Sequence, residues 1–188
     1  MSNRTFSLAL GATLSAAIIA AASLAFAAGT SPSTGSGSGG TTTPAKCSQF
    51  KKGNADYKKC KAAARHAMNT EELYAEGYTL AKAGDYADAL EYLTAVTDQN
   101  DVRVLTMIGY STRKMGKIDE GMAFYAKALA IDPNSVNTRE YLGEAYLQKK
   151  DLDSAKAQLV EIANRCGVTC EPYTELNEAI GKFQSGAL

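Results

Sequence analysis

The sequence predicts an all-α chain built as a solenoid of three helical hairpins, and three observations carry that prediction. First, "LAKAGDYADALEYLTAV" from Leu80 is echoed by "TRKMGKIDEGMAFYAKAL" from Thr112 and again by "YLQKKDLDSAKAQLVEI" from Tyr146. Second, one set of offsets carries Gly77 to Gly109 and Gly143, Gly84 to Gly116 and Lys150, and Ala89 to Gly121 and Ala155. The same offsets carry Leu93 to Tyr125 and Leu159, and Val96 to Ala128 and Ile162. Third, apolar residues within each copy recur at helical spacing, as with Leu73, Leu80 and Ala81 around Gly77. A repeat of this length is the period of stacked helical hairpins, each too small to bury its own apolar face.

Ahead of the repeats lies a segment of another kind. After Arg4, residues 5–28 are free of charge and rich in Ala and Leu, and they end on Ala25-Phe26-Ala27. A basic start, an apolar run and an A-x-A site predict a signal peptide over residues 1–27. A permanent membrane anchor is the competing reading of the same run. No Cys near the cleavage site offers a lipid acceptor, and no Arg-Arg pair is present, so the general secretory route is expected. The chain is therefore predicted to be periplasmic or secreted, with no stable membrane insertion once the signal is removed. Residues 28–45, "GTSPSTGSGSGGTTTPA" and its preceding Ala, have too little apolar surface to offset ordering entropy and read as a flexible linker.

Four cysteines, Cys47, Cys60, Cys166 and Cys170, allow three connectivities. In an exported chain an even count reads as disulfides. Local pairing, Cys47 with Cys60 and Cys166 with Cys170, is the expected one, because each pair then ties down one end of the body. Closing a loop of roughly 14 residues stabilises a fold by about 3 kcal/mol in the chain-entropy account. A zinc site needs closer knuckles than these spacings supply. A redox pair at "CGVTC" is one residue longer than the thioredoxin type.

The elements follow in order. Residues 46–68 form a basic segment with seven Lys or Arg against one Asp between Lys46 and His66. Its two readings are a steering patch for an anionic partner and a solvated helix that caps the array, with Lys58, Lys59, Lys61 and Arg65 available to pair with acidic neighbours. The hairpins are expected over 70–101, 102–135 and 136–168. Gly77 recurs inside a helix, where glycine costs about 1 kcal/mol against Ala, so close packing against Ala89 of the partner helix is the expected compensation. "AGDY" and "MGKI" place Gly where a helix ends left-handed. The second helices are expected over Tyr86–Asp98 and Ile118–Ile131, the latter stopped by Pro133. Residues 169–188 start a helix at Pro172 and align Leu176, Ala179, Ile180 and Phe183 on one face, as a terminal cap requires.

These motifs resemble the tetratricopeptide repeat family, in its exported bacterial form. The middle copy matches at Leu105, Ile108-Gly109, Gly116, Tyr125, Ala128 and Pro133, and the last at Leu142-Gly143, Tyr146, Ala155, Leu159 and Ile162. The first copy matches at Gly77, Leu80, Gly84, Ala89-Leu90, Leu93 and Val96. The chain departs from the pattern at Asp101, Thr112, Gly121 and Lys150. The resemblance implies a groove lined by the first helix of each hairpin. Its inward positions here are Glu71, Tyr74, Tyr78 and Lys82, then Arg103, Thr106, Tyr110, Arg113 and Lys114, then Asn137, Glu140, Glu144 and Gln148. Tyr and Arg dominate many recognition surfaces, because they combine large contact area with a polar end. Some members grip a C-terminal carboxylate through Lys and Asn, and Tyr74 and Tyr78 stand in those places, so that activity is not expected.

No motif of catalysis accompanies this groove. His66 is the only histidine, and there is no phosphate loop, no G-x-S-x-G and no H-E-x-x-H. The expectation is a non-catalytic adaptor for a protein or peptide partner, without cofactor, metal or nucleic acid. The alternatives are a permanent structural subunit of an envelope complex, or a homo-oligomer, and, further off, thiol–disulfide exchange at Cys166 and Cys170.

Overall fold

The computed structural model describes residues 47, 49–51 and 53–187; the expected signal peptide and linker lie outside these residues. Eight helices occur among the described residues: α1 (Ala55–His66), α2 (Thr70–Lys82), α3 (Tyr86–Leu93), α4 (Val102–Lys114), α5 (Ile118–Ile131), α6 (Val136–Gln148), α7 (Leu152–Cys166) and α8 (Glu171–Gln184). No strand occurs among them. Hairpins α2–α3, α4–α5 and α6–α7 stack in chain order, and α8 packs on α6 and α7.

Local sequence sets the helix ends. The Asn69 side chain accepts from the Glu72 amide at 3.1 Å, and the Glu72 carboxylate accepts from the Asn69 amide at 2.9 Å, a capping box that starts α2. Asp101, where the family pattern has Pro, caps α4 by accepting from the Arg103 amide at 2.8 Å. The three hairpin turns share one design: Asp85 donates its amide to Leu80, Lys117 to Thr112 and Asp151 to Tyr146, each reaching back over a left-handed residue. Gly84 and Gly116 take φ of 88° and 87° there, and Lys150 takes the same role at 62°. The repeat geometry imposes a left-handed turn even where the side chain disfavours it.

Helix α3 is shorter than the sequence predicts. It ends at Leu93 instead of reaching Asp98. Thr94 turns its hydroxyl onto the Leu90 carbonyl at 2.6 Å, and the amides of Ala95 and Val96 drop to the tighter pattern, reaching Tyr92 and Leu93. The chain thus leaves the α pattern after Leu93 while Val96, 2% exposed, still packs into the core.

The recurrent helix glycines mark close packing, at Gly77 against the expected Ala89 and, nearer still, Leu93. A methyl group on Gly77 would meet Leu93 Cγ at 2.7 Å before reaching the Ala89 carbonyl at 3.3 Å. In the middle hairpin Gly109 and Gly121 face each other: a methyl on Gly121 would lie 2.7 Å from the Gly109 carbonyl and 2.8 Å from Arg113 Cβ. The departure from the family pattern at position 121 therefore brings α5 flush against α4. Gly121→Ala is expected to lower stability by about 2 kcal/mol in chemical unfolding, since backbone cannot yield and the helix-propensity gain is smaller. Gly181→Ala, where a methyl meets nothing within 4 Å, should instead raise stability by about 0.5–1 kcal/mol.

Both local disulfides, Cys47–Cys60 and Cys166–Cys170, are formed. Helix α1 docks through charge. Lys61 reaches Asp88 at 2.7 Å, Arg65 pairs with Glu91, and both cations lie over the Tyr92 ring, at 5.4 and 5.5 Å. Burial works against the Lys61 charge, but the Asp88 hydrogen bond and charge hold its ammonium above the usual lysine range. At the other end Leu176 of α8 fills the notch over Gly143, 2.5 Å from where a methyl would sit, and Ile180 is buried beside it.

Candidate functional site

The first helices α2, α4 and α6 pack side by side, and α8 extends the row. Side chains one and two turns apart on each helix therefore form a strip across the row. Along it, the rings of Tyr74 and Tyr78 lie 6.1 Å apart on α2. Tyr110 of α4 lies 4.9 Å from Tyr141 of α6, and 6.1 Å edge-on from Tyr86 of α3. Tyr78 is 40% exposed, whereas Tyr74 and Tyr110 are half-buried, and burial pushes both of those phenols up. They stay neutral over the physiological range.

Cations flank these rings. Arg103 stacks on Tyr74 at 4.7 Å, held by hydrogen bonds to Glu71 at 2.8 Å and Asp101 at 2.7 Å. Those bonds push the guanidinium up and hold both carboxyls low. Tyr110 carries Lys114 at 5.4 Å, Arg113 at 5.7 Å and Lys82 at 5.8 Å from its ring centre. Two clefts open on the strip. One, of about 100 Å³, lies among Tyr74, Tyr78, Arg103, Thr106, Asn137 and Tyr141. The other, of about 270 Å³, lies between the C-terminal ends of α4 and α6 and helix α8.

Three residues assigned to the groove surface from sequence are buried instead. Arg113 is 2% exposed: its Nε donates to the Tyr125 hydroxyl at 3.3 Å and its Nη2 to Glu144. Burial opposes its charge, while Tyr125 and Glu144 sustain it. Thr106 is buried in a hydroxyl chain that stitches α4 to α6, bonding Thr138 at 2.7 Å and the Val102 carbonyl at 2.6 Å. Glu140, 3% exposed, has no hydrogen-bond partner among the described residues. Burial pushes its carboxyl up to about 9, with repulsion from Glu144 and Glu175 adding to the effect, and Lys82 and Arg113 opposing it. Neighbouring helices cover Thr106 and Arg113: α6 brings Thr138 against Thr106, and α5 brings Gly121 and Tyr125 against Arg113.

Glu71, Tyr78, Lys82, Arg103, Lys114, Asn137 and Gln148 are exposed, and Tyr74, Tyr110 and Glu144 are half-buried. Sequence reasoning missed Tyr141, which closes the small cleft; its position just after an inward-facing residue was the available signal. It also missed Leu147, Lys150, Ala179 and Phe183, which meet only because α8 folds back.

Two tetratricopeptide repeat family models match the chain, at residues 74–136 and 113–165. No curated protein matches it by sequence. Among solved structures it is similar to the type III secretion translocator chaperone SycD of Yersinia enterocolitica, at 22% identity and a TM-score of 0.52, covering 62% of this chain and 83% of that one. SycD in complex with a peptide of the translocator YopD gives 22% identity and a TM-score of 0.51, covering 62% and 90%. PcrH, of Pseudomonas aeruginosa, bound to the chaperone-binding region of PopB, gives 23% identity and a TM-score of 0.51, covering 61% and 93%. With three glycine-notched hairpins, three matching turns and these two family matches over residues 74–165, the chain belongs to the tetratricopeptide repeat family.

Proposed function

We propose that this chain is a non-catalytic adaptor, exported to the periplasm or secreted, that holds an extended peptide or a helix of a partner protein along the row of α2, α4 and α6. The observation that carries this reading is the strip of tyrosines flanked by cations, running from Tyr74 and Tyr78 to Tyr110 and Tyr141. Neutral phenols with large apolar faces suit recognition of a chain segment more than acid–base chemistry. The complexes of SycD with a peptide of the translocator YopD and of PcrH with the chaperone-binding region of PopB support a peptide as the ligand class. The apolar run at residues 5–28 and the two disulfides support export.

The test uses exposed positions, because Arg113 is structural. The full chain and its Tyr78→Ala/Lys82→Glu variant are immobilised and exposed to envelope extract. At least tenfold less captured partner is expected for the variant, with its helical circular dichroism unchanged. Equal capture by the two would refute the groove.

A further inference from the structure

We propose that the cleft at the C-terminal ends of α4 and α6, roofed by α8, is a subsite for an apolar side chain with a carboxylate side chain next to it, presented by a partner's extended segment. The proposal rests on the adaptor reading above and specifies the chemistry of its ligand.

Size is the first argument. At about 270 Å³ the cleft falls just below the ~300–1,000 Å³ typical of small-molecule sites, which suits one or two side chains better than a cofactor. Its apolar wall is Leu147 of α6 with Ala179 and Phe183 of α8. Phe183 and Ala179 are only partly covered by the rest of the fold. An incoming apolar group would complete that packing.

Charge is the second. Lys114 and Lys150 stand exposed at the rim and form no ion pair among the described residues. Nearby, Lys117 and Lys149 are both paired, with Glu120 and Asp119. The one carboxylate in the lining, Glu144, is already engaged by Arg113. The Arg113 guanidinium, though buried, spends only Nε and Nη2 on hydrogen bonds; Nη1 has no partner among the described residues. The cleft therefore offers two exposed ammonium groups without an ion-pair partner, beside the buried Arg113 charge and above an apolar floor. A ligand carboxylate complements that set, and a ligand cation is repelled by it.

Continuity with the strip is the third. Lys114 and Arg113 lie against the Tyr110 ring as well as lining this cleft. A segment lying across Tyr110 thus delivers its next residues here.

The full chain, ¹⁵N-labelled, would be titrated in NMR with N-acetylated, C-amidated hexapeptides of Gly and Ser carrying a central Leu-Asp, Leu-Asn or Ala-Asp pair. The Leu-Asp peptide should shift the amides of Gln148, Lys150 and Ala179, and the other two should bind at least fivefold more weakly. Lys114→Glu/Lys150→Glu should weaken Leu-Asp binding at least fivefold without altering Tm. Equal binding of Leu-Asn, or binding only by a peptide with a free C-terminal carboxylate, would overturn the proposal. Partner capture separates the two readings. If Tyr78→Ala/Lys82→Glu loses the partner and Lys114→Glu/Lys150→Glu keeps it, the groove stands and this subsite falls. If neither loses it, the groove falls and the subsite with it.

Discussion

Between pH 5 and pH 8 the protein is expected to lose stability on the order of 2–4 kcal/mol, and Glu140→Gln should abolish most of that loss. Glu140 is buried without a hydrogen-bond partner among the described residues, and its carboxyl is pushed from its ordinary 4.5 up to about 9. Folding at neutral pH therefore takes up a proton that the unfolded chain has released. The sign follows: a raised carboxyl contributes its stability in full below the unfolded value. That contribution is lost as pH rises, at about 1.4 kcal/mol per unit at most. The groups facing Glu140 are Lys82 of α2, Tyr110 and Arg113 of α4, Tyr125 of α5, Tyr141 and Glu144 of α6 and Glu175 of α8. All three phenols are raised by burial and stay neutral over this interval.

Urea unfolding at several pH values checks this. The parent chain should show a falling midpoint from pH 5 upward, and the glutamine variant a nearly level one, more stable than the parent at pH 8. On the acid side the trend reverses, because the Asp101 carboxyl is held low by its Arg103 hydrogen bond and loses that contribution as pH falls through its folded value. Parallel slopes for parent and variant would refute the role given to Glu140.

Arg113→Ala is expected to lower stability by about 2–3 kcal/mol. Removing one partner of a buried ion pair typically costs about 3–5 kcal/mol, and the loss here falls at or just below the bottom of that range because Glu144, 27% exposed, can rehydrate. The Tyr125 hydroxyl, by contrast, loses its donor inside the core. Arg113→Lys should recover only part of the loss, since a single ammonium cannot span Tyr125 and Glu144 as the planar guanidinium does. In a double-mutant cycle, Arg113→Met with Glu144→Leu should be closer to the parent than Arg113→Ala alone. An alanine variant within about 0.5 kcal/mol of the parent would remove Arg113 from the structural framework.

The repeat architecture was legible because it is written as periodicity: the same glycines, the same turns and the same apolar stripes return at one offset. The turn at Lys150 was legible in position, though not in chemistry, since only the stacked neighbours force its φ of 62°. The fate of groove residues was less legible. Thr106, Arg113 and Glu140 occupy first-helix positions by sequence, but their burial depends on which neighbouring helix packs over each, which periodicity within one helix does not encode. The pairing of Lys61 and Arg65 with acidic neighbours was legible as charge, whereas their seat on the Tyr92 ring depends on contacts across unlike segments. The α8 cleft was invisible for the same reason, its walls coming from residues more than thirty apart.

Leu176 occupying the notch over Gly143 has a consequence for assembly. In the two preceding hairpins the equivalent glycine is met by the second helix of its own hairpin, Leu93 over Gly77 and Tyr125 over Gly109, so here α8 takes the place of a hairpin partner. An assembly that displaced α8 would open the shared core of α6, α7 and α8 rather than uncover a spare face.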